Sequence, residues 1–527
     1  MKTGKEGRSS VTNDSKTENE VVEMERMGEK QQAMAKNILI FLLSAGLAVC
    51  GWFLWQKPKS VRETVVVEKV VEPERVVVLE EPEDEVEELP VPEVRWELVD
   101  PLQELVDRAE ADLAGGVVGF CLLDGEGKVL SQRNGETPMI PASTFKTLTT
   151  VAALDLLGPD FKFTTKVVSA KAVAGKIVGN LMVRGGGDPM LAMGDLEAWA
   201  DALKKAGVTA IEGGVVGDGS IFPPSMAGDF WGWGDVGNGY GSPTSGLNLE
   251  HNRFVAGFRP GKSVGEAAEF LGPQPEVPGV EWLNQVKTGA SGSGDGVMVY
   301  GGPLATRMLL TGTVPMGGDF GVRAAVPDPP MFAAFHLDRL LKERGITLGK
   351  GPRAGGLGEG VEALEGEKVW VVHESPSLAD ILPGLHGRSD NHETECLFQM
   401  MGVKVAQPAA EVLKDYWEER GVERIRVVDG SGLSRADFVS AESLARVQWV
   451  ASRGTEATVY RDSLSAAHDG KVHWKGGAMS SVRSWTGYVQ GAAGETLSFG
   501  LIFNHYQDGS RLDYWRDEIM KAITAGE

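Results

Sequence analysis

The chain has 527 residues, 42% of them hydrophobic, and carries a formal net charge of −22 at pH 7. That length exceeds what one hydrophobic core normally supports, so two or three domains are expected, and such acidity argues against nucleic acid as a partner. Three cysteines form no disulfide framework. Eight histidines show no zinc spacing, and no Gly-x-x-x-x-Gly-Lys-Ser/Thr loop occurs, so neither a metal nor a nucleotide cofactor is expected.

Residues 1–36 are polar and mixed in charge, which reads as a disordered tail. Residues 37–55 carry no charge and are rich in Leu, Ile, Phe and Ala, with Trp52 and Trp55 at one end. This predicts a single membrane-spanning helix; a cleaved signal peptide is the competing reading, disfavoured by the long preceding tail and the lack of a small-residue cleavage site. Flanking charges leave its orientation open. Residues 56–98 are acidic and rich in proline and valine: between Arg62 and Glu97 lie 13 acidic and four basic residues. Repulsion and proline stiffness predict an extended spacer, though Val65–Val67 and Val76–Val78 leave open a short strand pairing with another copy.

A globular texture begins near residue 99. Asp100-Pro101 caps a helix whose apolar face includes Leu102, Leu105, Val106, Ala109 and Leu113; Val117–Leu123 and Lys128–Gln132 then read as a hairpin. A second helix follows Pro141-Ala142-Ser143-Thr144-Phe145-Lys146, running through Leu148, Val151, Ala152 and Leu154. Residues 166–355 change texture to short apolar strands between glycine-rich turns, which predicts a β-rich insertion with one amphipathic helix at 327–345. Helices and strands alternate again over 356–527, so 99–165 and 356–527 read as one α/β catalytic domain split by the insertion. Cys121 and Cys396 fall in apolar runs and read as buried, inert thiols.

Three stretches carry chemistry. Ser143 and Lys146 lie three apart on one helix face, so the amine can serve as base for the hydroxyl if burial keeps it partly neutral. In Ser389-Asp390-Asn391, between two helical segments, a second hydroxyl can relay a proton, and the amide can hold both Lys146 and a substrate carbonyl. Lys475-Gly476-Gly477-Ala478 opens a strand; its ammonium attracts a carboxylate, and its small residues let backbone approach backbone. Lys287-Thr288-Gly289 spells a third motif but precedes Ser389 within the insertion, and reads as a surface turn.

Ser-x-x-Lys, Ser-Asp-Asn and Lys-Thr-Gly in this order are the signature of penicillin-binding proteins and class A β-lactamases. Together with Leu157-Gly158-Pro159-Asp160, Gly185-Gly186-Gly187-Asp188-Pro189, Glu395 and Asp429-Gly430-Ser431-Gly432-Leu433-Ser434-Arg435, they make residues 100–510 resemble the D-alanyl-D-alanine carboxypeptidase/endopeptidase family, the class C low-molecular-mass penicillin-binding proteins. The resemblance implies a penicillin-binding/β-lactamase-like catalytic domain with an antiparallel sheet flanked by helices, interrupted by the insertion and preceded by the transmembrane helix. Its 246-residue gap between Ser143 and Ser389 matches the extra domains that such proteins carry.

It further implies catalytic roles for Ser143, Lys146, Ser389, Asn391 and Lys475, an oxyanion hole from the backbone N–H groups of Ser143 and Ala478, and substrate contacts from Asn391, Lys475 and Gly477. The substrate would be a peptidoglycan stem peptide, β-lactams would be covalent inhibitors, and no cofactor would be needed. The enzyme would sit in the cytoplasmic membrane as a single-pass protein with its catalytic domain outside. One departure stands out: Gly476 and Ala478 replace the two threonines of Lys-Thr-Gly-Thr. That loss leaves two rivals open, an endopeptidase that needs no free carboxylate and a catalytically degenerate wall-binding or scaffolding protein.

Overall fold

The computed structural model describes residues 101–355, 367–492 and 494–525. The expected tail, membrane-spanning helix and spacer lie outside the described residues, among which no helix is long and apolar enough to cross a membrane.

A six-stranded sheet forms the base of the catalytic part, in the order Ser465–Ala467, Val472–Met479, Val482–Gln490, Thr496–Asn504, Val117–Leu123, Val129–Arg133. Every neighbouring pair is antiparallel. The early hairpin joins the late strands directly, Val117 opposite Asn504 and Leu123 opposite Ser498. Side-chain alternation then divides the sheet's faces. Phe120, Phe499, Leu501 and Phe503 meet the helices Pro101–Asp112 and Leu512–Ala525 on one side. Cys121, Leu123 and Ile502 meet the helices Lys146–Leu157 and Ala441–Arg453 on the other. A Cβ at Gly500 would lie 2.2 Å from the carbonyl oxygen of Ala441, so only glycine lets that helix settle this close.

Lys146–Leu157 is buried from Lys146 to Leu154, a central helix rather than a surface one. Its threonines survive there because each hydroxyl finds a carbonyl: Thr147 that of Thr144 at 2.8 Å, Thr149 that of Gly430 at 2.6 Å, Thr150 that of Lys146 at 2.9 Å. Burying Phe145, Leu148 and Leu154 contributes roughly 1.5–3 kcal/mol each.

The insertion has its own core. It opens on Thr164–Ser169, which pairs antiparallel with Lys368–Glu374, so the chain enters and leaves it side by side. Residues 368–374, which the composition assigns to the catalytic part, therefore belong to the insertion's five-stranded sheet. Two helices, Met193–Lys205 and Pro329–Glu343, pack there, where composition suggested one. A three-stranded sheet (Glu269–Gln274, Arg253–Arg259, Phe320–Ala325), a four-stranded one around Arg307–Pro315 and a second four-stranded one of two-residue strands (Thr347–Leu348, Ala210–Ile211, Lys176–Ile177, Ala172–Val173) complete it. The tight Gly185-Gly186 turn is structural: added Cβ atoms would fall 2.1 Å from the Gly246 oxygen and 2.0 Å from the Thr164 oxygen.

Candidate active site

Ser143 sits in the 3-10 turn Ala142–Phe145, which runs straight into the central helix. Thr144 and Ser484 stitch that turn to the sheet. The Thr144 hydroxyl donates to the Pro141 carbonyl at 2.8 Å and lies 3.0 Å from Ser484 Oγ, which donates to the same carbonyl. The Ser143 turn is thereby held against the strand beside Val472–Met479.

Lys146 Nζ lies 3.0 Å from Ser143 Oγ, 2.6 Å from Asn391 Oδ1 and 2.7 Å from the Ser431 carbonyl oxygen. The side chain is wholly buried. Burial drives its pKa down to about 8, against the opposing pull of Asp429 and Glu395. A minor neutral fraction therefore exists near neutral pH, far larger than for an ordinary lysine, which a base acting on Ser143 would draw on.

Ser389 closes the helix Leu378–Arg388 in a left-handed conformation, φ 54°. Asp390 caps the next helix, Asn391–Val405, accepting from the Glu393 N–H at 3.1 Å. The motif is thus a junction between two helices, which turns Ser389 and Asn391 toward the two lysines. Lys475 Nζ donates to Ser389 Oγ at 2.9 Å and to the Gly476 carbonyl at 2.6 Å. Burial, with the charge of Lys146 added, lowers it to about 7.

Gly477 faces the Ser143 turn: a Cβ there would stand 2.4 Å from Ser484 Oγ, 2.8 Å from the Pro141 oxygen and 2.9 Å from the Ser143 nitrogen. Gly476 points the other way, its nearest neighbour Trp485 Nε1 at 3.5 Å. Ala478 follows, exposed, with Arg483 opposite it on the next strand. Lys287–Gly289 is no turn but a short strand in the insertion, parallel to Thr313–Pro315, with Lys287 exposed.

The loop Asp429–Arg435 supplies the Ser431 carbonyl and is held by buried carboxylates. Glu395 Oε1 accepts the N–H groups of Gly430 and Ser431 at 3.0 and 2.8 Å; Asp429 accepts those of Ser431, Gly432 and Ser434. Burial and the Asp429 charge raise the Glu395 pKa. Four contacts from the insertion escaped the sequence reading. Arg253 makes a bidentate pair with Asp390 at 2.7 and 3.0 Å, Asn391 Nδ2 donates to the Tyr240 carbonyl at 2.8 Å, His251 Nε2 lies 2.9 Å from Glu393 Oε1, and Trp231 Nε1 donates to Asp429 Oδ2 at 2.7 Å. Burial opposes ionisation of Asp390, but the Arg253 hydrogen bonds and charge outweigh it and hold the carboxyl well below the usual range. No local motif flags these residues.

His251, Asp390 and Glu393 are the one group among the described residues close enough together to hold a metal ion. Arg253 and Arg388 already neutralise its two carboxylates, so the donor set suits guanidinium better than a cation.

The profile of the D-Ala-D-Ala carboxypeptidase 3 (S13) family matches residues 102–524. The chain belongs to that family. A protein of Actinomadura sp. (strain R39) named D-alanyl-D-alanine carboxypeptidase is 30% identical over 440 residues, 76% of this chain and 81% of its own length. D-alanyl-D-alanine carboxypeptidase DacB of Haemophilus influenzae is 27% identical over 432 residues, 75% of this chain and 87% of its own. The crystal structure of penicillin binding protein 4 (dacB) from Haemophilus influenzae superposes with a TM-score of 0.69 at 24% identity, covering 79% of this chain and 99% of that one. That likeness establishes the carboxypeptidase-family fold: a mixed α/β domain with helices flanking its sheets.

Proposed function

We propose that this protein is a serine DD-peptidase of peptidoglycan stem peptides, working through an acyl-enzyme on Ser143. The observation that carries the reading is the buried Lys146 ammonium, 3.0 Å from Ser143 Oγ with its pKa lowered to about 8. Neutral Lys146 takes the hydroxyl proton as Oγ attacks the D-alanyl carbonyl, and the N–H groups of Ser143 and Ala478 hold the developing oxyanion. Ser389, bonded to Lys475, passes a proton to the leaving amine as the C–N bond breaks. Water then splits the ester and returns the hydroxyl. Asn391 holds Lys146 in place while its amide remains near the cleft for the substrate backbone. A degenerate scaffold has no use for a buried ammonium aimed at one hydroxyl and held by two further acceptors.

The family resemblance and the motif set also support β-lactams as covalent inhibitors. The uncharged stretch at 37–55 and the acidic spacer after it support a single-pass anchor in the cytoplasmic membrane, with the catalytic part on the outer side, where its substrate lies. The deciding test is incubation with fluorescent penicillin and with a D-Ala-D-Ala-ended pentapeptide. Covalent label and released D-alanine are expected; a folded protein giving neither would refute the reading.

The rate of penicillin acylation should climb about tenfold per pH unit below about pH 7, as Lys146, lowered to about 8, sheds its proton and becomes a base. Above that it should level and then fall, for penicillin and peptide alike, because both carry a carboxylate that Lys475, lowered to about 7, no longer attracts once deprotonated; the limbs belong to the linked pair. Rates measured from pH 5.5 to 8.5 that stay flat would remove Lys146 as the base.

Cleavage within a cross-link is favoured by one feature, the missing hydroxyls at Gly476 and Ala478. Each charge-assisted hydrogen bond to a terminal carboxylate is worth about 1.5–3 kcal/mol. Gly476 has room for a side chain. Gly476→Thr is therefore expected to raise kcat/KM on the free pentapeptide roughly tenfold. An unchanged or lower value would mean that recognition of the terminus lies elsewhere, with Arg483, opposite Ala478 on the next strand, the residue to test next.

A further inference from the structure

The insertion reaches the second motif through residues 250–253. Glu250, His251 and Asn252 stand in succession in the left-handed region, at φ 52°, 55° and 53°, where residues other than glycine are uncommon even singly. Such a turn persists only where its surroundings over-determine it. The buried Asn252 does so here: its Oδ1 accepts the Leu249 N–H at 3.0 Å, and its Nδ2 donates to the Pro243 carbonyl and to Asn248 Oδ1, both at 2.7 Å. Directly after the turn, the strand Arg253–Arg259 enters the core of the insertion through Phe254, Ala256 and Phe258.

The turn aims two side chains at the start of one helix. His251 meets Glu393 in the first turn of Asn391–Val405, and Arg253 meets Asp390, the cap of that helix. Arg253 does more than pair. Its Nη1 and Nη2 hold the two oxygens of Asp390, and its Nε donates to the Gly239 carbonyl at 2.5 Å. Gly239 opens the short turn Gly239–Gly241, whose Tyr240 carbonyl accepts from Asn391 Nδ2. One guanidinium therefore fixes Asn391 from two sides, through the residue before it in the chain and through the turn that receives its amide.

The orientation of that amide follows. The Tyr240 carbonyl can only accept and the Lys146 ammonium can only donate, so Nδ2 faces the first and Oδ1 the second. On the other side of Asp390, Ser389 meets Lys475. Among the described residues the hydrogen bonds of Arg253 go to Asp390 and Gly239 alone, so its effect on the reacting groups passes through them.

We infer that Arg253 is a positioning residue of the reaction: carried by the left-handed turn, it sets Ser389 and Asn391 in register with Lys475 and Lys146, and the second motif works only with the insertion seated on it. The inference rests on the DD-peptidase reading and adds to it a residue from outside the three motifs. Arg253 also borders the cleft beside Asn391, so a direct substrate contact is the rival role, and KM separates the two.

The test measures kcat and KM on a D-Ala-D-Ala-ended pentapeptide, and the rate of penicillin acylation, for the full chain and its variants. Arg253→Met alone leaves the buried Asp390 carboxylate without its partner and endangers the fold. The double variant Arg253→Met/Asp390→Asn removes that charge while keeping an oxygen to cap the helix. In the folded double variant, kcat and the acylation rate should fall about 10²-fold, the scale of a misplacement of about 1 Å, with KM within about threefold of the wild type. Arg253→Lys keeps the charge without the planar fork and should recover about tenfold of that loss. Arg259→Met is the control. Arg259 lies at the far end of the same strand, half-exposed and paired with Glu269 and Asp319, and its loss should leave every rate within about twofold. Wild-type rates in the folded double variant, a loss carried by KM, or an equal loss in Arg259→Met would each overturn the positioning role and leave the chemistry at Ser143 standing. A wild type that takes no penicillin label would overturn the DD-peptidase reading, and this inference with it.

Discussion

Ser143→Ala is expected to abolish covalent labelling by penicillin and to lower peptide turnover by about 10⁶, the scale seen when a serine nucleophile is removed from a working constellation. The fold should survive. Lys146 keeps Asn391 and the Ser431 carbonyl as acceptors, so the lost contact costs only about 1–2 kcal/mol of stability. Lys287→Ala is the matching control, because Lys287 is exposed in the insertion on a strand paired with Thr313–Pro315. It should label like the wild type. Label retained on a folded Ser143→Ala protein would place the acylated residue elsewhere; label lost on Lys287→Ala would mean that the insertion carries the third motif.

Gly477→Ala should lower kcat by about 10²–10³ with a smaller change in KM. The added methyl would meet the Pro141 oxygen at 2.8 Å and the Ser143 nitrogen at 2.9 Å, both backbone atoms of the nucleophile turn, besides Ser484 Oγ at 2.4 Å. The strand and the turn must then part, and the proposed oxyanion donors, the N–H groups of Ser143 and Ala478, ride on those two elements. Gly476→Ala is the internal comparison. Its methyl meets nothing nearer than 3.5 Å, so kcat should stay within about twofold. Equal kinetics for the two alanine variants would show that the close approach of strand and turn is not what aligns the donors.

The insertion bears on this arrangement as much as the sheet does. Arg253 pairs with Asp390, between the two candidate side chains of the second motif, and the Tyr240 carbonyl receives the Asn391 amide. Trp231 does the same for the loop that presents the Ser431 carbonyl to Lys146. The inserted segment thus has its own core and also forms a wall of the candidate site.

Ser143, Lys146, Ser389, Asn391 and Lys475 were legible in the bare sequence, because each sits in a short motif whose spacing reflects a local constraint, a helical turn or a strand's alternation. The helix Pro101–Asp112, the strand Val117–Leu123 and the helix Pro329–Glu343 were legible for the same reason: their apolar periodicity is set by neighbours within a few residues. The order of the motifs also set Lys287-Thr288-Gly289 aside, although it matches the third motif better than Lys475-Gly476-Gly477 does. What the tertiary structure alone decided are the encounters between distant segments: Lys368–Glu374 beside Thr164–Ser169, Arg253 on Asp390, and Gly477 against Ser143. No local pattern encodes such pairings, because a single arginine or glycine satisfies many surroundings, and which one it meets depends on how whole layers pack and which strands share an edge.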